Sequence, residues 1–77
     1  MKLVLVEWVD STIWGQKWLC YDEAKEMTLN NCRAVGYVIK KDKDKIVLAQ
    51  SMCVEDNSVI NLLAIPRGCI RSIREVK

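Results

Sequence analysis

The hydrophobic and polar positions of the chain follow, over most of its length, the two-residue period of β-strands. The stretch "KLVLVEWV", residues 2–9, is apolar at nearly every position and is followed by the turn-forming "DST". Alternation places Val4, Val6 and Trp8 on one face and further apolar side chains on the other. A first strand with both faces covered over part of its length is therefore predicted.

Four more strands are predicted in the second half of the chain, separated by turns rich in charged residues, Asn, Pro or Gly. They cover residues 32–41, 46–53, 59–65 and 69–76. The charged "KDKDK" forms the first of these turns, and Pro66, which cannot donate a ladder hydrogen bond, ends the fourth strand. Gly36 interrupts one face of the second strand, which predicts a bulge or a close backbone crossing there.

One helical pattern lies between the first two strands, in "YDEAKEMTLNN", residues 21–31. Asp22 is in position to cap its first turn, where a side-chain acceptor satisfies a free N–H group. Asn30 and Asn31 tolerate the left-handed backbone that ends many helices, so the helix is predicted to end there. The preceding "STIWGQKW" has no period of its own around Gly15 and predicts a loop.

Together these elements predict a mainly β fold in a single domain, residues 1–77. Five antiparallel strands, with one short helix between strands 1 and 2, fit a small, strongly bent SH3-like barrel. The last four strands would form a meander of three hairpins, and the first strand would close the barrel or cover one of its edges. An edge left open is a natural place for subunits to pair, so a homo-oligomer, either a ring or a dimer through strand edges, is expected.

The composition argues against several classes of chemistry. The chain has no histidine, so a Ser-His or Cys-His catalytic pair cannot form, and we predict that the protein is not an enzyme. Its four cysteines have no CxxC spacing, and its glycines are too few for a phosphate loop, so neither a metal nor a cofactor is expected. The apolar run at the start is too short for a signal peptide or a membrane span, which predicts a cytoplasmic protein with no membrane partner.

The net charge is only +2, so any strongly positive field must be local. Arg67, Arg71 and Arg74 form the one concentrated group of arginines. Strict alternation from Ile70 places Arg71 and Arg74 on opposite faces, with Arg67 in the preceding turn. These guanidinium groups suit phosphate binding, and the alternative is that they are solvated charges that protect a strand edge from aggregation.

The tryptophans have two predicted roles. Trp8 belongs to a strand face and is predicted to pack in the core. Trp14 and Trp18 lie in the loop, where they either cap the open end of the barrel or stand exposed as anchors of a protein interface. Lys17, between them, would suit a platform on which bases stack beside a phosphate contact.

Two fragments resemble a known family. In "GYVIKKD", residues 36–42, the spacing of Gly36, Val38 and Asp42 looks like the opening of the first motif of the Sm-like proteins, which are small SH3-like barrels. The RNA-contacting asparagine of that motif has no counterpart, because Ile46 stands at its position.

In "IPRGCIRSI", residues 65–73, Arg67 and Gly68 followed by two isoleucines look like the second Sm motif, with the apolar residues one position earlier. Over nearly its whole length the chain is similar to short proteins encoded by bacteriophages and prophages, some of which have an Sm-like barrel. That resemblance implies a protein that acts in the cytoplasm of a bacterial host.

The sequence supports three hypotheses about function. The first is a non-enzymatic, oligomeric module that binds RNA, single-stranded DNA or a small nucleotide through Arg67, Arg71, Arg74 and Lys17. The second is a factor that docks on a host protein through Trp14 and Trp18 and inhibits or modulates it. The third is a minor virion or assembly component.

Overall fold

The computed structural model describes residues 1–13, 15 and 17–77. This part of the chain contains five strands: β1 Leu3–Asp10, β2 Asn30–Lys41, β3 Lys45–Met52, β4 Val59–Pro66 and β5 Ile70–Glu75. A short helix, α1 Tyr21–Ala24, lies between β1 and β2, and a 3-10 turn, Arg67–Cys69, connects β4 to β5. The prediction of a mainly β fold with five strands and a short helix after the first is confirmed.

All five strands belong to one antiparallel sheet in the order β4-β3-β2-β1-β5. The hairpins β2-β3 and β3-β4 are local, as the turn signals predicted. The predicted hairpin between β4 and β5 is wrong, because β5 pairs with β1. β4 and β5 instead lie at opposite edges of the sheet. The sheet is therefore open, and its closure into a barrel stays a prediction.

β2 is shared between two partners, and Gly36 lies where it passes from one to the other. Its first half pairs with β1 as far as Tyr37, and its second half pairs with β3 from Tyr37 onward. Gly36 is buried, and a Cβ atom added to it would lie 3.0 Å from the carbonyl oxygen of Ala49 and 3.0 Å from Cβ of Leu48. The close backbone approach predicted at Gly36 is confirmed, because β3 leaves no room there for a side chain on β2.

The core lies on one face of this sheet, and most of its residues come from β1 and β3. The core cluster consists of Val4, Val6, Ile46, Leu48 and Ile65. Ala49 is also buried, but it does not belong to this cluster. Trp8 is half-buried and packs against this cluster. The predicted face of β1 is therefore confirmed, although Trp8 keeps part of its surface accessible.

The helix is shorter than predicted, and its predicted end and cap are wrong. It stops at Ala24, and its first residue follows Cys20, which makes no side-chain capping hydrogen bond, so Asp22 is not the cap. Asn30 and Asn31, expected to end the helix, instead begin β2 and pair with Asp10 and Val9 of β1. Extending the β1-β2 ladder satisfies backbone groups that a longer helix would have taken from it.

Residues 11–29, which we call the arm, connect β1 to β2. The two ends of the arm are held together by hydrogen bonds, because Thr12 Oγ1 donates to the carbonyl oxygen of Thr28 at 2.7 Å and Asn30 Nδ2 donates to that of Ser11 at 3.3 Å. Every residue from Cys20 to Asn31 is exposed. The molecule is elongated, with extents of 55 × 23 × 23 Å.

Candidate functional site

A cleft of about 600 Å³ opens where β1, β2 and β5 meet. It is lined by Glu7, Trp8, Asn31, Cys32, Arg33 and Arg71. The pairing of β1 with β2 explains this grouping, because Glu7 lies opposite Arg33 and Trp8 lies opposite Cys32. The lining of the cleft thus includes one tryptophan, two arginines, one asparagine and one glutamate.

Arg71 reaches the cleft because β5 contains a bulge. Glu7 pairs with Ser72 but the next residue, Trp8, pairs with Ile70, which leaves Arg71 as the extra residue. Ile70 and Ile73 both pack against the core although they are three positions apart, which a regular strand does not allow. The expected opposition of Arg71 and Arg74 rested on strict alternation, which the bulge breaks.

Glu7 organises the charge around the cleft. Arg33 Nε donates to its Oε2 atom at 3.1 Å, and Arg74 Nη2 lies 3.9 Å from its Oε1 atom. Ser72 Oγ donates to the same Oε1 atom at 3.4 Å. Two arginines, Arg33 and Arg74, therefore lie beside one carboxylate. Arg71 lines the same cleft as Glu7 and Arg33, so the four residues together have a charge of +2, which favours an anionic ligand.

The remaining predicted site residues lie elsewhere. Arg67 faces the β2-β3 turn, where its backbone N donates to the carbonyl oxygen of Asp44 at 2.9 Å and its Nη1 to that of Asp42 at 3.4 Å. Lys17 is exposed in the arm, Trp18 is fully exposed, and Trp14 lies outside the described residues. The structure therefore places Arg71 in the cleft lining and Arg74 beside Glu7, but it leaves Arg67 and Lys17 away from the cleft lining.

The sequence reasoning did not select Glu7, Asn31 or Arg33 as site residues, and it assigned Trp8 to the core alone. The opposite charges of Glu7 and Arg33 were a usable signal, since charged pairs directly across an antiparallel ladder attract each other. That signal becomes readable only when the register of β1 on β2 is known.

The β2-β3 turn has its own electrostatics. The backbone N–H groups of Lys45 and Asp44 donate to Asp42 Oδ1 at 2.9 and 2.8 Å, and mainly for this reason the pKa of Asp42 falls from 3.8 to about 2. Lys45 Nζ and Lys40 Nζ lie 3.4 and 3.6 Å from Asp42 Oδ2. The "KDKDK" segment is thus a turn held by one carboxylate, which fits its predicted role as a hairpin end.

Two further kinds of feature bear on function, namely metal sites and membrane segments. Among the described residues, no three Cys, Asp or Glu side chains come together in a group that could hold a metal ion. Within the same ranges, no helix has the length and apolar character needed to cross a membrane. All four cysteines are free thiols, and of these Cys32 lines the cleft.

Comparison of the chain with protein-family models, with curated proteins and with solved structures found no match. What the cleft can bind therefore follows from its own geometry and charge.

Proposed function

We propose that the protein is a non-enzymatic binding module whose cleft takes a phosphate-bearing ligand, either a small nucleotide or a segment of RNA or single-stranded DNA. The observation that carries this proposal is the presence of Arg33 and Arg71 in one cleft, which Trp8 also lines. Guanidinium groups bind phosphate oxygens through two parallel hydrogen bonds, and an indole ring is a stacking partner for any base. Asn31 adds an amide that can both donate to and accept from a base edge.

The size of the cleft favours a mononucleotide or one nucleotide of a strand. Sites for small molecules have volumes of roughly 300–1,000 Å³, and the cleft is about 600 Å³. A longer nucleic acid would continue past Arg74, on the same side of the sheet as Glu7. Oligonucleotides and mononucleotides are therefore separate arms of the test.

The proposal includes an Sm-like architecture and self-association through the sheet edges. The 3-10 turn between β4 and β5 supports the Sm-like architecture. The strand order β4-β3-β2-β1-β5 supports self-association, because it leaves one open edge at each end of the sheet. A phage origin and a place in the host cytoplasm belong to the same proposal. They rest on the resemblance of the sequence to short phage and prophage proteins.

Fluorescence titration tests the ligand. In a variant carrying Trp14→Phe and Trp18→Phe, Trp8 is the one remaining tryptophan, so its emission reports on the cleft. Mononucleotides and short labelled oligonucleotides are added at low and at physiological salt. We expect quenching that weakens as salt rises, because part of the affinity comes from phosphate contacts.

Arg71→Ala in this background should weaken binding about tenfold or more, since hydrogen bonds to charged groups contribute about 1.5–3 kcal/mol. Arg67→Ala is the matched control, because Arg67 faces the β2-β3 turn and should leave the affinity unchanged. An unchanged Trp8 emission at low salt, or equal losses in the two variants, would contradict the proposal.

A second candidate function is docking on a host protein through the arm. The observation that favours it is the complete exposure of Trp18, which shares the arm with the exposed side chains of Ile13 and Tyr21. Partners captured from host lysate by the wild type and lost with Trp18→Ala, but kept with Val76→Ala, would support it. The same partners with Trp18→Ala would count against it, and co-purification with phage particles would instead favour a virion component.

A further inference from the structure

The isolated chain exposes more surface than a compact monomer of its mass. A folded monomer of 8.9 kDa is expected to have about 4,800 Å² of accessible surface and, at this length, a radius of gyration of about 11.5 Å. The observed values are 6328 Å² and 16.3 Å. The surplus, about 1,500 Å² by the same scaling, is surface that a single copy leaves uncovered.

The exposed apolar side chains are concentrated in two regions. In the arm they are Ile13, Trp18, Tyr21, Met27 and Leu29. In β4 they are Ile60, Leu62 and Leu63. The same chain thus has an arm with exposed aromatic and aliphatic side chains and an edge strand with exposed aliphatic side chains.

β4 lacks the charged side chains that protect many sheet edges. Charged side chains on an edge strand discourage pairing with other chains. The opposite edge, β5, has three of them, Arg71, Arg74 and Glu75. β4 is "VINLLAIP", with no charged residue over its whole length, and Leu62 at its middle is 58% exposed. This strand has the composition of an interface.

We propose that the arm of one copy packs on the β4 edge of a second copy. This inference rests on the proposed self-association and deepens it, because it names the two surfaces that meet. Obligate homodimers bury roughly 1,000–2,500 Å² per subunit, and the surplus of about 1,500 Å² per chain lies within this range. An arm packed on a neighbouring copy therefore accounts for both uncovered regions at once.

Charge favours contact of the arm with β4 over contact between two arms. The arm contains two lysines and three acidic residues, Asp22, Glu23 and Glu26, for a net charge of −1. The rest of the chain accordingly has +3, since the total is +2. Two arms facing each other would bring like charges together, whereas β4 presents no charge of its own and belongs to the positive remainder.

Complementation between two variants tests this pairing. Trp18→Lys changes the arm, and Leu62→Glu changes β4; both side chains are exposed, so neither change disturbs the core. Val76→Lys, at an exposed apolar residue outside both surfaces, is the control. Each protein is measured alone by sedimentation velocity, and the two variants are then mixed in equal amounts, with circular dichroism to verify that all keep the fold.

We expect the wild type and Val76→Lys to have a mass in solution of at least twice 8.9 kDa. Trp18→Lys and Leu62→Glu, each measured alone, should have a mass of 8.9 kDa. The mixture should recover the wild-type mass, because an intact arm then meets an intact β4 and the introduced lysine meets the introduced glutamate. A monomeric wild type would overturn this inference and the proposed self-association, but not the ligand site. A Trp18→Lys protein of wild-type mass, or a mixture that stays monomeric, would overturn the arm pairing alone.

Discussion

Substituting Gly36 by alanine tests how closely β2 approaches β3 at this position, which we call the close crossing. The added Cβ would lie 3.0 Å from the backbone oxygen of Ala49 and 3.0 Å from Cβ of Leu48. Ordinary contacts between carbon and these atoms are about 3.5–4.0 Å. Ala49 and Leu48 are both buried, so the strand must shift by several tenths of an ångström in a packed region to accept the methyl group.

Forcing an extra methyl group into a well-packed site costs about 1–3 kcal/mol. Replacing a strand glycine returns about 0.5–1 kcal/mol, because alanine loses less backbone freedom on folding. The expected net loss for Gly36→Ala is thus about 1–2 kcal/mol, or a fall in Tm of roughly 5–15 °C for a chain of this length. Urea unfolding, at one protein concentration for all variants, measures this loss from the midpoint and an unchanged slope.

Gly68→Ala is the matched control for this experiment. Gly68 lies in the 3-10 turn, a Cβ atom added to it would have nothing within 4 Å, and its φ is not in the left-handed region. This substitution should be neutral or stabilise the protein by about 0.4–1 kcal/mol. If Gly36→Ala is as stable as Gly68→Ala, the crossing is looser than these distances indicate and the course of β2 has another cause.

Three further predictions concern the turn, the core and the cleft. As the pH is lowered from about 4 to 2, the stability of Asp42→Asn should fall less steeply than that of the wild type. The lowered pKa of Asp42 stabilises the wild-type fold above this range, and that contribution disappears as the carboxylate is protonated. Thermal melts across the range measure the difference, and parallel curves would argue against it. Ile65→Ala should lower the free energy of unfolding by about 2–5 kcal/mol. Ile39→Ala should lower it much less, because Ile39 is 41% exposed whereas Ile65 is 1% exposed. Equal losses in urea unfolding would place Ile65 outside the core. Glu7→Gln should strengthen the binding of a phosphate ligand several-fold, since it removes the carboxylate that competes for Arg33. The free energy of unfolding should change by less than about 1 kcal/mol. Weaker binding in the fluorescence titration would mean that Glu7 is needed to orient Arg33.

The strands and the core face of β1 were predictable because they depend on local patterns. Alternation in β1 placed Val4 and Val6 on the buried face, and the turn signals placed the β2-β3 and β3-β4 hairpins. The glycine at position 36 indicated a close crossing because a strand interior rarely lacks a side chain without such a reason. These inferences use periods of two residues and single turn residues, which tertiary contacts seldom overrule.

The helix end and the cleft depend on contacts that are distant in the sequence. Asn30 and Asn31 are good helix-ending residues, but their pairing with the end of β1 decided their conformation. The cleft requires the register of β1 on β2 and of β1 on β5 at the same time, because its lining comes from all three strands. Neither register can be read from a single strand, so the charged pair Glu7 and Arg33 was not recognisable as a pair.

The bulge in β5 was nevertheless present in the sequence as an irregular spacing. Ile70 and Ile73 are the apolar residues of the last strand that pack on the core, and they are three positions apart. In a regular strand such residues would face opposite sides, so two core contacts at this spacing require one extra residue between them. Arg71 is that residue in the ladder with β1, and its release from regular pairing brings it to the cleft with Trp8 and Arg33. The irregularity that defeats strict alternation is therefore also the feature that creates the proposed binding site.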